Sequence, residues 1–259
     1  MLTRDIKNIL ILSCFALGGC YETHQINDEK NILLSPVQES TAQQVVGDFC
    51  YFIPPQGWNL ADMSKLSPRV KICFIGKGSG NLLPSVNLAT EEVNVSLKTY
   101  LDIVKKDCES DPNCLWRDLG KYNTSFGEGR LTEREVKTQW GISRQAQLIV
   151  MKDGRAYILT AGALKEEFSS HYQDFEKVFR SLTLTNDLTT QVASPEKKEL
   201  LCNLIGNLKT NKTSFDSDQF QQSSWKPFQE KIINDFTEMG SYWQILLLRD
   251  VQYQLLQNH

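Results

Sequence analysis

Two periods of apolar residues, one of two positions and one of three to four, divide most of the chain into predicted strands and helices. Short runs rich in aromatic and β-branched residues, bounded by glycine, proline or turn sequences, predict the strands. The segments that meet these criteria are 49–53, 70–75, 86–90, 115–119, 122–126, 131–140, 142–150 and 156–161. Because the later strands follow one another through short turns, we expect antiparallel pairing.

The strongest local signal in the chain is Asp153-Gly154, which lies between two apolar runs. It predicts a type I′ hairpin, since both central residues of that turn need a positive φ. Gly127-Glu128-Gly129 predicts a second turn. Segment 131–140 after it is mostly polar, so we expect this strand to have one face in water.

The apolar spacing changes to three and four residues in two further segments. Segment 96–107 is predicted as an amphipathic helix with Ser96 as its N-cap, and segment 165–182 as a helix with an aromatic face. Helices of this kind need an apolar surface to cover. The predicted fold class over residues 48–184 is therefore α+β, an antiparallel sheet flanked by helices.

After a polar break at 186–194, residues 195–259 carry three apolar stripes that predict a C-terminal α-helical extension. The extension either forms a small bundle or lies against the sheet domain. No segment of it approaches 18 uninterrupted apolar residues, so none is predicted to span a membrane.

The start of the chain has the pattern of an export signal. Arg4 and Lys7 precede a nine-residue apolar run at 9–17, which is too short to span a bilayer. The run ends in Leu17-Gly18-Gly19-Cys20, which resembles a bacterial lipobox. That resemblance implies a signal peptide over 1–19 and a lipid bilayer bound through acylated Cys20.

Residues 20–47 are polar and without sustained periodicity, so they predict a flexible tether between Cys20 and the folded part. Tyr21 follows the predicted lipidated cysteine. In typical Gram-negative lipoproteins an aspartate at this place is associated with retention in the inner membrane. The lipobox resemblance therefore implies an outer-membrane lipoprotein on the periplasmic face or the cell surface.

The net charge of the chain limits the classes of partner that it is expected to bind. The 259 residues have a net charge of −3, and the mature chain, without the two basic residues and one acidic residue of 1–19, has 26 basic and 30 acidic residues. A mildly acidic chain argues against a nucleic-acid partner, because nucleic-acid-binding proteins are expected to carry a basic patch.

Seven cysteines are present, which an exported protein can use for disulfides. Cys108 and Cys114 are the best candidates, because Asp111-Pro112-Asn113 is a turn sequence that brings them together. Cys50 and Cys73 lie in two apolar strand segments and either face each other or are buried thiols. An odd number of remaining cysteines leaves Cys202 as the expected free thiol.

No catalytic constellation stands out in the sequence. The three histidines are far apart and no Cys-x-x-Cys is present, so no metal or cofactor is expected. His171 lies beside an aromatic stripe and is expected to be structural. The loop Gly76-Lys77-Gly78-Ser79-Gly80 lacks the spacing and the following helix of a phosphate loop and is interpreted as a turn. We expect the protein not to be an enzyme.

Three features together resemble the PsbP-like family, which includes DcrB-type lipoproteins. They are the opening Phe52-Ile-Pro-Pro-Gln-Gly-Trp58, the segment 86–101, and the strand Ala156-Tyr-Ile-Leu-Thr-Ala161 running into the aromatic helix. The resemblance covers residues 48–184 and implies an α/β/α sandwich that docks onto larger complexes. It carries over no binding residue.

The sequence thus predicts a membrane-anchored lipoprotein that acts as a non-catalytic binding or assembly module, with an envelope protein as partner. Two alternatives stay open. One is a small-ligand carrier or envelope enzyme with an unrecognised site, which predicts a deep polar pocket with convergent carboxylates. The other is a surface-exposed host-contact antigen.

Overall fold

The computed structural model describes residues 48–210 and 215–257. The predicted signal peptide over 1–19, Cys20 and the tether over 20–47 lie outside these residues. Contacts divide the described chain into two compact units, one of residues 55–180 and one of residues 48–54 with 181–257. Each unit is described by itself.

The described residues form nine strands and six α-helices, joined by turns and short 3₁₀ or π segments. The strands are β1 (Phe49–Tyr51), β2 (Asn59–Leu60), β3 (Val70–Ile75), β4 (Ser85–Glu92), β5 (Cys114–Thr124), β6 (Gly127–Thr138), β7 (Gly141–Lys152), β8 (Arg155–Leu164) and β9 (Thr183–Thr185). The helices are α1 (Leu97–Glu109), α2 (Lys165–Arg180), α3 (Pro195–Thr210), α4 (Asp218–Phe220), α5 (Lys226–Asp235) and α6 (Gly240–Gln257).

The unit of residues 55–180 is built on a seven-stranded antiparallel sheet with the strand order β2-β3-β4-β8-β7-β6-β5. β8 lies at its centre and nine of its ten residues are buried, as expected for a strand covered on both faces. The predicted fold class, an α+β protein with an antiparallel sheet flanked by helices, is confirmed.

Helices α1 and α2 cover opposite faces of this sheet. Tyr100 and Val104 of α1 pack with Ile149 of β7, whereas Phe168 of α2 lies 4.9 Å from the guanidinium carbon of Arg144 on the same strand. Residues five positions apart on a regular strand point to opposite faces. We call these faces the α1 face and the α2 face.

The local turn and cap signals had mixed outcomes. The hairpin between β7 and β8 has φ values of 49° at Asp153 and 74° at Gly154, and the Ser96 hydroxyl accepts from the Thr99 amide, so both predictions are confirmed. The turn predicted at 127–129 is wrong. β6 already begins at Gly127, and the turn lies one step earlier, where the Thr124 hydroxyl donates to the Gly127 carbonyl at 2.7 Å.

In the unit of residues 48–54 and 181–257, β1 and β9 form a separate two-stranded sheet instead of joining the large one. Pro54-Pro55 ends the first strand because proline has no amide hydrogen for a ladder. Trp243 is fully buried among the helices of this unit, and its indole donates to the Leu188 carbonyl at 3.2 Å. No helix among the described residues is long and apolar enough to cross a membrane.

Candidate ligand site

Strand β6 carries three consecutive buried charged residues, Glu133, Arg134 and Glu135, which are 4%, 7% and 5% exposed. The prediction that this strand has one face in water is wrong for this stretch, because both faces are covered. Alternation places Glu133 and Glu135 on the α2 face and Arg134 on the α1 face. The two faces treat these charges in different ways.

On the α2 face the two carboxylates lie among three cations. Glu133 accepts two hydrogen bonds from Arg144, at 2.8 and 2.5 Å, and lies 3.6 Å from Arg117. Glu135 accepts from Lys165 at 2.7 Å and from Arg117 at 3.4 Å. The hydrogen bond from Lys165 lowers the pKa of Glu135 below its usual value of 4.5. We call these five residues the carboxylate cluster.

The carboxylate cluster has the character of a structural element. Its members come from β5, β6, β7 and the first turn of α2, so they tie four elements together. Each carboxylate has at least two cationic neighbours within 4 Å, as expected for buried charges that tie elements together.

On the α1 face Arg134 has no carboxylate partner among the described residues. One terminal nitrogen of its guanidinium, Nη2, lies 3.5 Å from the Cys114 sulfur, and its Nε is buried without any hydrogen-bond partner. A buried cation is normally paired, because removing an isolated charge from water is strongly unfavourable. Arg134 is therefore the unusual group of this unit.

Arg134 lines a cavity of about 20 Å³ between α1, β6, β7 and the segment 67–70. The apolar part of the wall is formed by β-sheet and α1 side chains, and the polar part by Arg69, Glu91, Tyr100, Gln147 and Ser67. A volume of this size holds about one water molecule or one small ion. It is too small for an organic substrate of several heavy atoms.

The one carboxylate of this cavity, Glu91, has both oxygens engaged. Oε1 accepts from Arg69 at 3.1 Å and Oε2 accepts from the Tyr100 hydroxyl at 2.8 Å. Burial raises the pKa of Glu91 above its usual value, although Tyr100 and Arg69 oppose the shift. Burial and the Glu91 charge together raise the pKa of Tyr100.

The other polar wall residue, Gln147, donates from Nε2 to the Thr160 hydroxyl at 3.2 Å. No histidine or cysteine lines the cavity. Its polar wall therefore consists of two arginines, one carboxylate, one amide and two hydroxyl groups.

The structure contains the disulfide between Cys108 and Cys114, with a Cα–Cα distance of 5.3 Å. It joins the last turn of α1 to the first residue of β5 and so fixes one wall beside Arg134. Cys20, the predicted lipid attachment site, lies outside the described residues.

Three described cysteines are free: Cys50 and Cys73 are buried and Cys202 is exposed. The alternative of a bridge between Cys50 and Cys73 is therefore wrong, and both are buried thiols. Burial raises the pKa of Cys73 to about 12 and also raises the pKa of Cys50. Protonated thiols of this kind are poor nucleophiles.

The glycine-rich loop and His171 both serve packing. The Ser79 amide donates to the Glu167 carboxylate at 2.9 Å, and the Ser79 hydroxyl also contacts it, so an acidic side chain already occupies the loop. His171 lies edge-on to Trp58, with ring centroids 5.9 Å apart. In the part of the chain that the structure describes, no group of three metal-ligating side chains is assembled.

Sequence reasoning missed Arg134 and its cavity. A signal was present, because Gln145 and Gln147 alternate with apolar residues on β7, and Arg134 shares its face of β6 with Thr132 and Val136. We interpreted such polar positions as solvated. They are buried because α1 and neighbouring segments cover that face, which no local pattern reports.

Comparisons with known proteins give a fold likeness only. No protein-family description matches the sequence, and no curated protein matches it. Among solved structures, LpqN of Mycobacterium tuberculosis, described as involved in cell envelope biogenesis, is 13% identical with a TM-score of 0.43. The match covers 55% of this chain and 87% of LpqN.

Two further structures show a similar level of likeness. Cyanobacterial PsbP (CyanoP) of Synechocystis sp. PCC 6803 is 12% identical with a TM-score of 0.39, over 58% of this chain and 99% of CyanoP. PA94 of Pseudomonas aeruginosa, of unknown function, is 10% identical with a TM-score of 0.37, over 55% of this chain and 86% of PA94. A PsbP structure is among those to which the chain is similar.

Proposed function

We propose that this chain is a non-catalytic binding or assembly module of the bacterial envelope, held at the outer membrane by acylated Cys20, and that it binds an envelope protein at the open edge of its sheet. The observation that carries this proposal is β5. It is the outermost strand of the large sheet and eleven residues long, whereas β2 at the opposite edge has two residues.

The edge strand β5 exposes apolar side chains. Leu115 is 61% exposed and Leu119 is 50% exposed. An edge strand offers unpaired backbone donors and acceptors, and natural proteins usually blunt such edges because they recruit other strands. A long edge with two exposed leucines is therefore suited to β-augmentation by a partner.

The chemistry of β5 defines the occupant. Arg117 and Lys121 are more than half exposed on the same strand. The ladder with β6 is irregular between Asp118 and Gly120, which leaves regular stretches of about five residues on either side. We therefore propose an extended partner segment of four to six residues, with apolar side chains toward Leu115 and an acidic side chain toward Arg117 or Lys121.

The cavity and the carboxylate cluster favour binding over catalysis. A carrier or enzyme was expected to show a deep polar pocket with convergent carboxylates. The cavity beside Arg134 has about 20 Å³ and one carboxylate, which Arg69 and Tyr100 hold. The carboxylates of the α2 face are held by cations. These observations support a non-enzymatic role.

A photo-crosslinking experiment in native envelopes tests the docking edge. A benzophenone side chain placed at Asn123, an exposed β5 position, is expected to capture one envelope protein. The double change Leu115→Lys and Leu119→Lys is expected to abolish the adduct, because lysines at an edge oppose strand addition. The matched control is Leu256→Lys, an exposed leucine in the other unit. An undiminished adduct with the β5 variant, or no adduct from the wild-type edge, overturns the proposal.

Anchoring has its own test. Cys20→Ser is expected to move the protein from the outer-membrane fraction to the soluble fraction, because a tether and a mildly acidic chain offer no other membrane attachment. Density-gradient fractionation followed by mass spectrometry of the N-terminal peptide reads both location and acylation. Membrane retention of the Cys20→Ser protein contradicts the proposed anchor. Protease treatment of intact cells separates the periplasmic face from a surface-exposed antigen.

A further inference from the structure

We propose that the cavity beside Arg134 is a binding site for one small monovalent anion of the size of chloride. The inference rests on a buried cation without a counter-charge among the described residues and on a cavity of matching size that this cation lines. It is independent of the docking edge on β5.

Arg134 is more than nine-tenths buried and has no ion pair among the described residues, and its only hydrogen-bond contact is a disulfide sulfur at 3.5 Å. Sulfur is a weak acceptor, so this contact leaves the positive charge essentially uncompensated. The neighbouring charges on the same strand, Glu133 and Glu135, each have two cationic partners. An acceptor-only group in the cavity supplies what Arg134 lacks.

The charge of the cavity wall favours an anion. Arg69 and Arg134 are cationic and Glu91 is the one acidic group. One carboxylate oxygen of Glu91 accepts a hydrogen bond from Arg69 and the other accepts one from Tyr100, so the negative charge of Glu91 is already paired. The remaining uncompensated charge is that of Arg134.

Volume sets the size limit. A cavity of about 20 Å³ accommodates one water-sized particle, which fits a single halide ion. Sulfate and phosphate need several such volumes and are excluded by size.

Anion-dependent unfolding of the full-length protein tests the site. At constant ionic strength, replacing sodium gluconate by sodium chloride is expected to stabilise the wild type with a saturable dependence. The folding equilibrium constant is expected to rise about elevenfold at ten times the dissociation constant. Sulfate is expected to show no saturable effect beyond that of its ionic strength.

Variants assign the effect to Arg134. Arg134→Met is expected to remove the saturable chloride effect. Arg155→Met removes one positive charge from β8, where the arginine pairs with the exposed Glu92, and is expected to retain the effect. Arg134→Lys keeps the charge but loses the Nε donor, and serves as a second variant with weakened binding if Arg134→Met does not fold.

A crystal grown in sodium bromide gives the direct observation. We expect one anomalous bromide peak within about 3.5 Å of a guanidinium nitrogen of Arg134. A water molecule in this place in the presence of bromide, or an equal chloride effect in wild type and Arg134→Met, overturns the proposal.

Discussion

Glu133 and Arg134 are neighbours on one strand and equally buried, yet their surroundings differ completely. Glu133 receives two short hydrogen bonds from Arg144, which reaches it across the β6–β7 ladder, whereas Arg134 faces Gln145 in the same ladder. Asp118 lies diagonally from Arg134 in the β5–β6 ladder but is held by Arg130 at 2.7–3.0 Å. The face of the sheet therefore determines the pairing: a charged side chain on the α2 face is ion-paired within the protein, whereas Arg134 on the α1 face is free to bind a ligand.

The largest expected loss of stability comes from removing an ion pair of the carboxylate cluster on the α2 face. Arg144→Met leaves Glu133 buried with Arg117 alone, at 3.6 Å. Removing one partner of a buried ion pair costs about 3–5 kcal/mol, because the other charge stays uncompensated. Arg144 also lies over the Phe168 ring, so part of this loss is packing. Urea unfolding of the purified full-length protein measures the change.

Arg134→Met is the matched change on the unpaired side of the same sheet. It removes a buried charge that has no counter-charge, and a thioether of similar length fills the space. We expect a change in the free energy of unfolding within about 1 kcal/mol, of either sign, in gluconate buffer. Equal destabilisation by the two variants contradicts the distinction between the two faces.

The sequence predicted those parts of the fold that depend on neighbours in the chain. The Ser96 cap and the Asp153-Gly154 hairpin each need only a few consecutive residues, and both are confirmed. The Cys108–Cys114 pairing rests on a turn of the same kind. The cavity depends instead on Arg69, Glu91 and Arg134, which lie on three strands or their flanks. Their meeting follows from strand order, which alternation along one strand does not determine.

The same limit explains the separate small sheet. Segment 49–53 has strand character, and the sequence gives no indication that its partner is β9, more than 130 residues later. Pairing of this kind is non-local, and only the packing of the whole unit selects it. The polar residues of β6 were assigned to solvent for a related reason, since burial depends on what covers the sheet.

Removal of the disulfide is expected to lower the free energy of unfolding by an intermediate amount, and it changes the α1 face beside Arg134. The bridge spans a sequence separation of six residues, for which loop-closure entropy gives about 2–3 kcal/mol. Cys108→Ala with Cys114→Ala is expected to lose this amount in urea unfolding, and to weaken chloride binding because the wall beside Arg134 loosens. Cys202→Ala, at an exposed free thiol, is the control and is expected to stay within about 0.5 kcal/mol.

Acid titration separates Glu91 from Glu135 by the sign of the effect on stability. Burial raises the folded-state pKa of Glu91, so its contribution to stability is full below about pH 4.5 and is lost as the pH rises through the folded pKa. The pKa of Glu135 is lowered, so its contribution is present above about pH 4.5 and is lost as the pH falls through the folded pKa. Stability against pH is therefore expected to show a rise and then a fall on acidification.

Single variants assign each branch of that curve. Glu91→Gln is expected to reduce the slope of the branch above about pH 4.5, and Glu135→Gln the slope of the branch below about pH 4.5. Unfolding in urea at several pH values gives both slopes. If Glu91→Gln leaves the upper branch unchanged, another group governs it.

The smallest expected effect is at Leu115, which lies opposite Glu135 in the β5–β6 ladder on the α2 face. The carboxylate cluster there has three cations and two carboxylates, and Arg117 is its most exposed cation. Leu115→Glu adds an acid beside Arg117, and Leu115→Lys adds a fourth cation. Exposed ion pairs contribute at most about 1 kcal/mol, so we expect the glutamate variant to be more stable by about 0.5 kcal/mol. The difference is expected to vanish in 1 M salt, because exposed pairs are screened there. A difference in stability that persists in 1 M salt, or a more stable lysine variant, means that other groups neutralise the excess positive charge of the cluster. Either result contradicts the interpretation that the α2 face carries paired charges in contrast to the unpaired Arg134.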